Sequence, residues 1–510
     1  MNNGKICVSV CAETAAELIE NIKRAEEFAD VIELRFDCLN VNEFDCLNLD
    51  KLNSFLNKIF NDQSFRKPLI TTFRTKEQGG KREIMDKERE NFWNMGFDYG
   101  WADLEEDIIE DSFSWLWEKR ICSYHDFKSI PENLDKIYWR LKATYADIVK
   151  IAVQADEITN SIPIWKLLQR AKTENKQIIP IAMGEAGKWT RILGLAHGAF
   201  MTYAALNAGK ETASGQITAK DLIETYRVKE LDEQTEIYGI VGNPVSHSLS
   251  PFMHNAAFKF HKLNAVYIPF EVINLDEFIE KFIRPETREI ELNFKGFSVT
   301  IPHKRAIIKH LDNIDETAKA IGAVNTVKIV DGKLYGYNTD ANGFIEPLKT
   351  AYGDLQNAKV AVLGNGGAAR AAIFALKKEG AEIIVFARNI EKAKDLAKEF
   401  KVGLKELSPQ HSALSTFDIV VNATPLGAKG ELETETPATA EQIKNVHLAY
   451  DLVYNPFETR FLREAKSAGV PTIGGLAMLV AQGAEQFKIW TGKDAPVKEM
   501  SRIALRKLQS

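Results

Sequence analysis

DIVKIAVQ, residues 147–154, is a short apolar run with one lysine, Lys150, near its centre. Val149 and Ile151 beside it predict a buried β-strand, in which a lysine is rarely enclosed unless it is paired or used. Seven similar runs share the first 225 residues with it, and helix-period segments such as 15–29 separate most of them. The eight runs are ICVSV (6–10), VIELRFD (31–37), LITTFR (69–74), WADLE (101–105), ICSYHDF (121–127), IVKIAV (148–153), IIPIAM (178–183) and AFMTYAAL (199–206).

This alternation of strands and helices predicts the fold of the first part of the chain. It favours parallel strands joined by crossover helices, and eight such units in about 225 residues predict a (β/α)8 barrel. RVKELDEQTE (227–236) is charged and aperiodic, so we interpret it as a linker. From IYGIVGNP (237–244) a second α/β pattern runs to the end of the chain. We therefore expect an α/β protein with at least two domains.

The composition excludes several classes of protein. The 510 residues are 45% hydrophobic and 27% charged, which is typical of a globular protein. A net charge of −6 offers no basic surface for nucleic acid. No apolar run approaches the roughly 18 residues that a membrane span needs, and we identify no signal or transit peptide. We expect a cytoplasmic protein with small-molecule partners, without nucleic acid or membrane.

The five cysteines all lie in the first quarter of the sequence, at Cys7, Cys11, Cys38, Cys46 and Cys122. No C-x-x-C pair and no nearby histidine completes a zinc pattern. We interpret all five as reduced cytosolic thiols and predict that the protein binds no metal.

Polar side chains recur at the C-terminal ends of the predicted strands, where a barrel carries its active site. They are Glu33 and Arg35 on the second strand, Arg74 on the third, His125 on the fifth, Lys150 on the sixth, Arg191 after the seventh, and Thr212 and Gln216 after the eighth. Any one of them could simply face water. Three arginines at one pocket indicate an anionic, hydroxylated ligand, because guanidinium groups pair with carboxylates.

Lys150 and His125 suggest the reaction. Burial and nearby arginines should lower the pKa of the Lys150 amine, and a neutral amine can attack a ketone to form a Schiff base. His125 can move protons near neutral pH. The combination indicates an imine-forming lyase or an aldolase.

Six motifs spread over residues 5–225 resemble those of type I 3-dehydroquinate dehydratases. They are ELR, TTFR, SYHDF, KIAV, MGxxGxxxR and SGQ. The resemblance implies that Lys150 forms an imine with the substrate ketone. It implies that His125 removes the α-proton and returns it to the departing hydroxyl. The implied carboxylate ligands are Arg191, Thr212 and Gln216. The implied ligands of the ring hydroxyls are Glu33, Arg35 and Arg74, with Ser9 as a further candidate.

Two positions depart from that family's pattern. Gln78 stands where the family usually has glutamate before two glycines, and an amide cannot be an anionic partner for His125 or Lys150. Thr212 stands where the family usually has serine, which keeps the hydroxyl.

KVAVLGNGGAAR (359–370) predicts a strand, a glycine-rich turn and the start of a helix. Gly364, Gly366 and Ala369 fit the G-x-G-x-x-A dinucleotide fingerprint, with the pyrophosphate at the helix N-terminus. The next strand ends at Arg388, and this charge together with Lys392 favours a 2′-phosphate over a free hydroxyl. A solvated arginine is the alternative. We predict NADP bound by Gly364, Asn365, Gly366, Gly367, Ala368, Arg388 and Lys392.

A lysine and an aspartate precede this nucleotide segment. FSVTIPHK ends at Lys304, and GYNTDANG (336–343) holds Asp340. Either could be an ordinary surface or turn residue. As a pair near a nicotinamide they could relay the proton that accompanies hydride transfer.

Eight motifs over about residues 237–505 resemble those of shikimate dehydrogenases and occur in the same order. They are SHSLSP, VTIPHK, AVNT, NTDxxG, GNGGAAR, NATPLG, DLVYNP and MLVAQGA. The resemblance implies that Lys304 and Asp340 are the catalytic pair. The implied carboxylate ligands are Ser248 and Ser250. The residues implied at or beside the ring hydroxyls are Thr300, Asn325, Tyr454 and Gln482, and those implied beside the nicotinamide are Leu452 and Gly475. Ala387 stands where that family often has asparagine, but Arg388 and Lys392 keep the positive charges.

The two resemblances concern consecutive reactions, so we predict a bifunctional shikimate-pathway enzyme. It would dehydrate 3-dehydroquinate to 3-dehydroshikimate and reduce that product to shikimate with NADPH. The predicted domains are the barrel (1–226), the linker (227–236), a substrate-binding lobe (237–345), a Rossmann-like NADP-binding lobe (346–477), and C-terminal helices (478–510) that pack back on the substrate lobe. Two alternatives are a catalytically impaired barrel beside an active dehydrogenase, and a ligand-sensing regulator. The oligomeric state is left open, and a monomer would suffice.

Overall fold

The structure, a computed structural model, describes residues 2–42, 44–60, 65–95, 100–114, 117–407 and 412–509. The chain forms two compact units, Met1–Glu236 with Ile268–Asn293, and Ile237–Tyr267 with Phe294–Ser510. In the described ranges, no helix has both the length and the apolar character that crossing a membrane requires.

Strands and helices alternate through the first unit, as the hydrophobic pattern predicts. In chain order they are β1 (Lys5–Cys11), α1 (Ala15–Ala25), β2 (Val31–Arg35), α2 (Leu49–Phe60), β3 (Leu69–Thr72), α3 (Asp86–Asn94), β4 (Trp101–Glu105), α4 (Glu106–Ile109), β5 (Lys119–Asp126), α5 (Leu134–Lys142), β6 (Ile148–Gln154), α6 (Ile162–Thr173), β7 (Gln177–Met183), α7 (Lys188–Leu193), β8 (Met201–Ala205) and β9 (Ile217–Thr218). Short 3₁₀ helices follow several strands, at Phe36–Cys38, Lys76–Gln78, Asp111–Ser114, Ile158–Ser161 and Gly194–His197, and one π-helical turn spans Asp221–Thr225.

The strands of this unit form one parallel sheet in the order β7-β6-β5-β4-β3-β2-β1-β8-β9. Consecutive parallel strands joined by helices give a TIM-like sheet. The Phe200 amide, just before β8, donates to the Ile178 carbonyl of β7 at 2.9 Å, so a hydrogen bond connects two sides of the sheet that the strand order places apart. The predicted α/β class is therefore confirmed.

The interior face of this sheet changes from apolar to polar along each strand. The apolar cluster within it includes Val31, Trp101, Ile121 and Ile148. Because residues two apart on a strand share a face, the next interior positions on these four strands are Glu33, Asp103, Ser123 and Lys150. An apolar floor thus supports a polar layer at the C-terminal ends of the strands.

The interpretation of all five cysteines as reduced thiols is wrong for two of them. Cys11 and Cys38 form a disulfide with a Cα–Cα distance of 5.5 Å. Cys11 pairs in register with Arg35 at the end of β2, and the 3₁₀ turn that follows brings Cys38 back to it. Burial raises the pKa of the other three thiols, at Cys7, Cys46 and Cys122.

The segment after the first sheet begins a mixed sheet. Its elements are β10 (Glu236–Gly242), α8 (Ser250–Phe260), β11 (Ala265–Glu271), α9 (Leu275–Phe278) with a π-helical turn at Ile279–Ile283, β12 (Gly296–Val299), a 3₁₀ helix at Ala306–His310, β13 (Asn313–Ile314), α10 (Glu316–Ile321), β14 (Thr326–Val330), β15 (Lys333–Tyr337) and α11 (Asp340–Tyr352). The strand order is β11-β10-β12-β14-β15-β13.

The nucleotide-type segment forms a separate parallel sheet in the order β18-β17-β16-β19-β20-β21. Its elements are β16 (Lys359–Leu363), α12 (Gly367–Lys378), β17 (Glu382–Ala387), α13 (Ile390–Phe400), β18 (Gly403–Glu406), a 3₁₀ helix (Ser412–Thr416), β19 (Ile419–Asn422), α14 (Ala440–Ile443), β20 (Leu448–Asp451), α15 (Arg460–Ser467) and β21 (Thr472–Ile473). Alternate residues of β16 enter two different cores, Val360 and Val362 on one face and Ala361 and Leu363 on the other. This is the doubly wound arrangement of a Rossmann-like lobe.

Two helices end the chain, α16 (Gly475–Thr491) and α17 (Val497–Gln509). Phe487 and Trp490 of α16 and Met500 of α17 share a hydrophobic core with Tyr238 of β10 and Phe258 of α8. The terminal helices therefore complete the core of the mixed sheet, and Met478 of α16 also joins the core of the Rossmann-like lobe.

Candidate active sites

The polar side chains of the first unit converge on one cavity at the C-terminal ends of its strands. The cavity contains eight of the nine predicted residues: Glu33, Arg35, Arg74, His125, Lys150, Arg191, Thr212 and Gln216. The ninth, Ser9, does not line the cavity, but its hydroxyl hydrogen-bonds to the Glu33 carboxylate. Strand order thus brings together residues that are spread over about 200 positions of the sequence.

Lys150 is buried among charged and aromatic groups. Its Nζ lies 2.7 Å from Asp103 Oδ2, 3.8 Å from Glu33 Oε1, and 4.0 Å from the centre of the Tyr203 ring. Burial lowers the pKa of Lys150 and the Arg74 charge lowers it further, and together they outweigh the opposing effect of Asp103. The amine is therefore easier to deprotonate than that of an ordinary lysine.

His125 is also buried, and the charges around it are positive. Arg74 Nη1 lies 3.1 Å from ring atom Nδ1, and the ring stacks on Phe127 at 5.9 Å. Burial, followed by the charges of Arg74, Lys150 and Arg35, holds the pKa of His125 well below its usual range. The Gln78 side chain, where a carboxylate was expected, accepts a hydrogen bond from the His125 backbone N–H at 3.1 Å. The neutral imidazole suits a proton acceptor.

The three arginines of the cavity differ in how many of their N–H donors already have partners in the protein. Arg35 forms a bidentate pair with Asp37 at 2.7 and 2.9 Å, and Arg74 pairs with Asp103 at 2.7 Å. Arg191 is buried, and its Nε and Nη1 have no hydrogen-bond partner among the described residues. Burial lowers its pKa to about 10. Arg191 thus offers donors to an incoming anion.

Thr212 and Gln216, which line the same cavity as Arg191, are hydrogen-bonded to each other. The Gln216 amide donates to the Thr212 hydroxyl at 3.0 Å, and its carbonyl oxygen accepts from the Thr212 backbone N–H at 2.8 Å. The replacement of serine by threonine therefore leaves a fixed hydroxyl at the cavity wall.

Sequence reasoning missed three residues of this cavity region: Asp37, Asp103 and Tyr203. Asp103 had a usable signal, because WADLE carries Asp103 and Glu105 with the same i, i+2 spacing as Glu33 and Arg35. No comparable pattern marked Tyr203.

The second unit contains a cleft that gathers the predicted dehydrogenase residues. Its lining includes Ser248, Ser250, Thr300, Lys304, Asn325, Asp340, Leu452, Tyr454, Gly475 and Gln482. Sequence reasoning did not identify Ser298 and Gln486, which also line it.

Lys304 and Asp340 form an ion pair in this cleft, with Nζ 2.5 Å from Oδ2. The other carboxylate oxygen of Asp340 accepts from the Asn325 amide at 2.8 Å. Asp340 begins α11, and the N-terminal end of a helix stabilises a carboxylate. The aspartate is thus fixed on one side while its partner lysine lines the cleft.

Gln482 and Gly475 place α16 against the same cleft. The Gln482 oxygen lies 3.5 Å from the Asn325 amide nitrogen. A Cβ at Gly475 would stand 2.6 Å from the carbonyl oxygens of Leu452 and Val453, so only glycine allows this approach. Burial raises the pKa of Tyr454 and keeps its hydroxyl protonated.

A further cavity of the second unit fits a dinucleotide. Gly364, Asn365, Gly366, Gly367, Ala368, Arg388, Lys392 and Leu452 line it. Gly364 has φ +113°, and a Cβ there would approach the Ala423 carbonyl oxygen at 2.8 Å. At Gly366 an added Cβ would meet no atom within 4 Å, which leaves the turn before α12 open to a pyrophosphate. The exposed Arg388 and Lys392 provide positive charge for a 2′-phosphate.

The described residues contain no group of three or more histidine, cysteine, aspartate or glutamate side chains that could hold a metal ion.

The folds and sites define an enzyme with two active sites, a lyase on a TIM-like sheet and an NADP-dependent dehydrogenase. Family models agree with this division. Type I 3-dehydroquinase matches residues 6–233, the shikimate dehydrogenase substrate binding domain matches 240–327, shikimate / quinate 5-dehydrogenase matches 346–444, and the shikimate 5′-dehydrogenase C-terminal domain matches 475–505.

Relatives match the chain both as a whole and in part. The chloroplastic bifunctional 3-dehydroquinate dehydratase/shikimate dehydrogenase of Arabidopsis thaliana is 34% identical, over 97% of this chain and 83% of that protein. The NADP(+) shikimate dehydrogenase of Methanococcus maripaludis (strain C6) is 44% identical, over 55% of this chain and 100% of its own length. The chain therefore belongs to the family of bifunctional 3-dehydroquinate dehydratase/shikimate dehydrogenases. The predicted pair of activities and the NADP cofactor are confirmed.

Solved structures match the second unit. A shikimate dehydrogenase in complex with NADP+ is 41% identical, covers 55% of this chain and 98% of its own, and superposes with a TM-score of 0.50. A Thermus thermophilus enzyme in complex with NADP(H) and shikimate is 38% identical, covers 53% and 98% of the two chains, and has a TM-score of 0.48.

Proposed function

We propose that Lys150 and His125 carry out the dehydration of 3-dehydroquinate. The neutral Lys150 amine attacks the substrate ketone, and the carbinolamine takes up one proton and loses its hydroxyl as water, which leaves an iminium. His125 accepts the α-proton and returns it to the leaving hydroxyl, which departs as a second water molecule. Hydrolysis of the imine then releases 3-dehydroshikimate and restores the amine. The lowered pKa values of both groups support these roles.

The same cavity holds groups that suit the rest of the substrate. We assign the carboxylate to Arg191, because its guanidinium keeps buried donors without partners in the described structure, and to the neighbouring Thr212 and Gln216. We assign the ring hydroxyls to Glu33, Arg35 and Arg74, with Ser9 acting through Glu33.

For the second reaction we propose Lys304 and Asp340 as the proton-transfer pair. NADPH, when bound, supplies the hydride to the carbonyl carbon of 3-dehydroshikimate. The Lys304 ammonium, held by Asp340 at 2.5 Å, gives the carbonyl oxygen its proton. The proposed substrate ligands are Ser248, Ser250, Thr300, Asn325, Tyr454 and Gln482, and the proposed nicotinamide contacts are Leu452 and Gly475. The residues assigned to the rest of the cofactor are Gly364, Asn365, Gly366, Gly367, Ala368, Arg388 and Lys392.

The contacts of Lys150 carry this proposal: a buried lysine with a lowered pKa, in one cavity with a neutral histidine and a buried arginine that offers donors. The test is a coupled assay that supplies dehydroquinate and NADPH and follows NADPH consumption and shikimate formation. In a parallel reaction, borohydride added with dehydroquinate should reduce the imine and leave a mass increase on the peptide that contains Lys150. An adduct on another residue would refute the role of Lys150.

Gln78 favours one alternative, a barrel that binds substrate without turning it over. The amide supplies no negative charge to His125. Shikimate formation from added 3-dehydroshikimate but not from dehydroquinate, with no borohydride adduct, would establish this alternative.

The domain limits 1–226, 227–236, 237–345 and 346–477 and the cytoplasmic location stay predictions, and so does the view that a monomer would suffice. Sedimentation at several protein concentrations tests the last of these.

A further inference from the structure

Asp103 is buried behind two residues that line the lyase cavity, Lys150 and Arg74, and neither the sequence nor the proposed mechanism gives it a role. One carboxylate oxygen, Oδ2, lies 2.7 Å from Lys150 Nζ and also 2.7 Å from Arg74 Nη2. Asp103 is on β4, Lys150 is on β6, and Arg74 follows β3. One carboxylate oxygen of β4 therefore contacts side chains from two other strands of the sheet.

The other acidic or amide groups of this region are committed elsewhere. Glu33 accepts hydrogen bonds from the hydroxyls of Thr72, at 3.1 Å, and Ser9, and lies 3.8 Å from Lys150. Glu105 binds the Thr75 backbone and hydroxyl at 2.9 and 3.0 Å. Gln78 is uncharged and bonded to the backbone of His125. Among the described carboxylates, Asp103 makes the short contact with Lys150.

We propose that Asp103 is the positioning residue of the lyase site, holding Lys150 and Arg74 in place and remaining anionic to pair with the iminium. This inference rests on the proposed imine chemistry at Lys150. In the net reaction, a lysine ammonium and a ketone become an iminium and a water molecule, so the same positive charge stays on the lysine nitrogen. A carboxylate 2.7 Å from that nitrogen pairs with both states.

Asp103 can stay ionised throughout. Burial by itself would raise its pKa, but the charges of Arg74 and Lys150 lower it below the ordinary aspartate range. The charged or titratable groups that face Lys150 from the surrounding strands are Cys7, Glu33, Arg74, Asp103, His125 and Tyr203. Of these, Asp103 contributes the largest upward effect on the lysine pKa.

Removing the charge of Asp103 should therefore shift the pKa of Lys150 in one direction, and this shift can be measured. Asp103→Asn keeps the shape and removes the negative charge, while Arg74 continues to disfavour the ammonium. The pKa of Lys150 then falls further, and imine formation, which needs the neutral amine, begins at lower pH. A residue with a purely structural role would slow the reaction without moving its pH dependence in this direction.

The experiment measures imine formation in the full chain by borohydride quenching at a series of times and pH values. Asp103→Asn should move the rising limb of the profile of imine-formation rate against pH to lower pH by about 1 unit. It should also reduce the plateau rate by about 100-fold, because Lys150 and Arg74 are no longer held. Asp103→Glu, which keeps the charge, should leave the limb at its wild-type position. Asp135→Asn, an exposed carboxylate on α5 paired with Arg170, is the matched control and should change neither.

The outcomes separate this inference from the proposed function. If Lys150→Ala still acquires the adduct, the proposed function fails. If Lys150→Ala loses it but Asp103→Asn keeps the wild-type limb, the role of Asp103 is refuted. Near-ultraviolet circular dichroism reports folding. Should Asp103→Asn not fold, a lowered limb in Asp103→Glu would itself overturn the proposal, since that variant retains the charge.

Discussion

Lys150 lies where burial and ion pairing oppose each other. The carboxylates of Asp103 and Glu33 favour the ammonium, while burial and Arg74 favour the neutral amine, and the net effect lowers the lysine pKa. A lysine in water would be protonated almost completely at neutral pH. The surrounding charges hold the side chain in place, and burial leaves a larger fraction of it nucleophilic.

Gln78→Glu should raise the pKa of His125. Burial, followed by the charges of Arg74, Lys150 and Arg35, holds the pKa of the histidine well below the usual range. A carboxylate at position 78, within 3.1 Å of the His125 backbone N–H, would favour the imidazolium. Because a proton acceptor must be neutral, the rising limb of the dehydratase kcat should move to higher pH, by about 1 unit.

Gln177→Glu is the matched control for this measurement. It adds the same charge at the exposed N-terminal end of β7, away from the cavity, and should leave the limb unchanged. A limb that stays fixed or falls in Gln78→Glu would mean that position 78 does not act on the histidine charge.

Arg191→Lys should weaken substrate binding more than catalysis. The Arg191 guanidinium has buried Nε and Nη1 donors without partners among the described residues. The ammonium of a lysine cannot form the bidentate contact that a guanidinium makes with a carboxylate. We expect the dehydroquinate KM to rise by about 100-fold with kcat changed much less. Arg140→Lys, at an exposed surface ion pair with Glu106, should leave KM as it is. Equal losses in kcat and kcat/KM would place the arginine contact in the transition state instead.

At the scale of the elements, the sequence predicts what depends on regular spacing. Polar residues two positions beyond buried ones mark the ends of β2, β5 and β6, which is why Glu33, His125 and Lys150 are found without a structure. The same spacing in β4 points to Asp103. Contacts made by irregular turns are different, because Cys38 reaches Cys11 only through a three-residue 3₁₀ turn.

The disulfide should stabilise the first unit. It closes a loop with a sequence separation of 27, and cross-links of this loop size contribute about 3.5 kcal/mol. Replacing Cys11 and Cys38 together by serine should therefore lower the urea midpoint of the tryptophan fluorescence transition. Under dithiothreitol the wild type should lose the same stability, so the difference between the two proteins should nearly vanish. An unchanged midpoint without reductant would show that the bond adds no stability.

At the scale of the whole molecule, the residues proposed for each reaction come from one compact unit. The proposed lyase residues lie in Met1–Glu236, and the proposed dehydrogenase residues lie in Ile237–Tyr267 or Phe294–Ser510. What the sequence did not predict is that Ile268–Asn293 groups with the first unit. Its hydrophobic pattern continues that of the mixed sheet, so spacing alone could not separate it.

This division predicts that the two activities can be removed one at a time. Lys150→Ala should abolish dehydration of dehydroquinate and leave NADP-dependent oxidation of shikimate unchanged, because among the described residues the removed amine contacts Glu33, Asp103 and Tyr203, all in the first unit. Lys304→Ala should lower shikimate oxidation by at least about 100-fold and leave dehydration intact. An equimolar mixture of the two variants should again convert dehydroquinate and NADPH to shikimate, because the intermediate can pass through solution. Loss of both activities in either single variant would mean that the units depend on each other for folding, and a mixture that stays inactive would mean that the intermediate is not released.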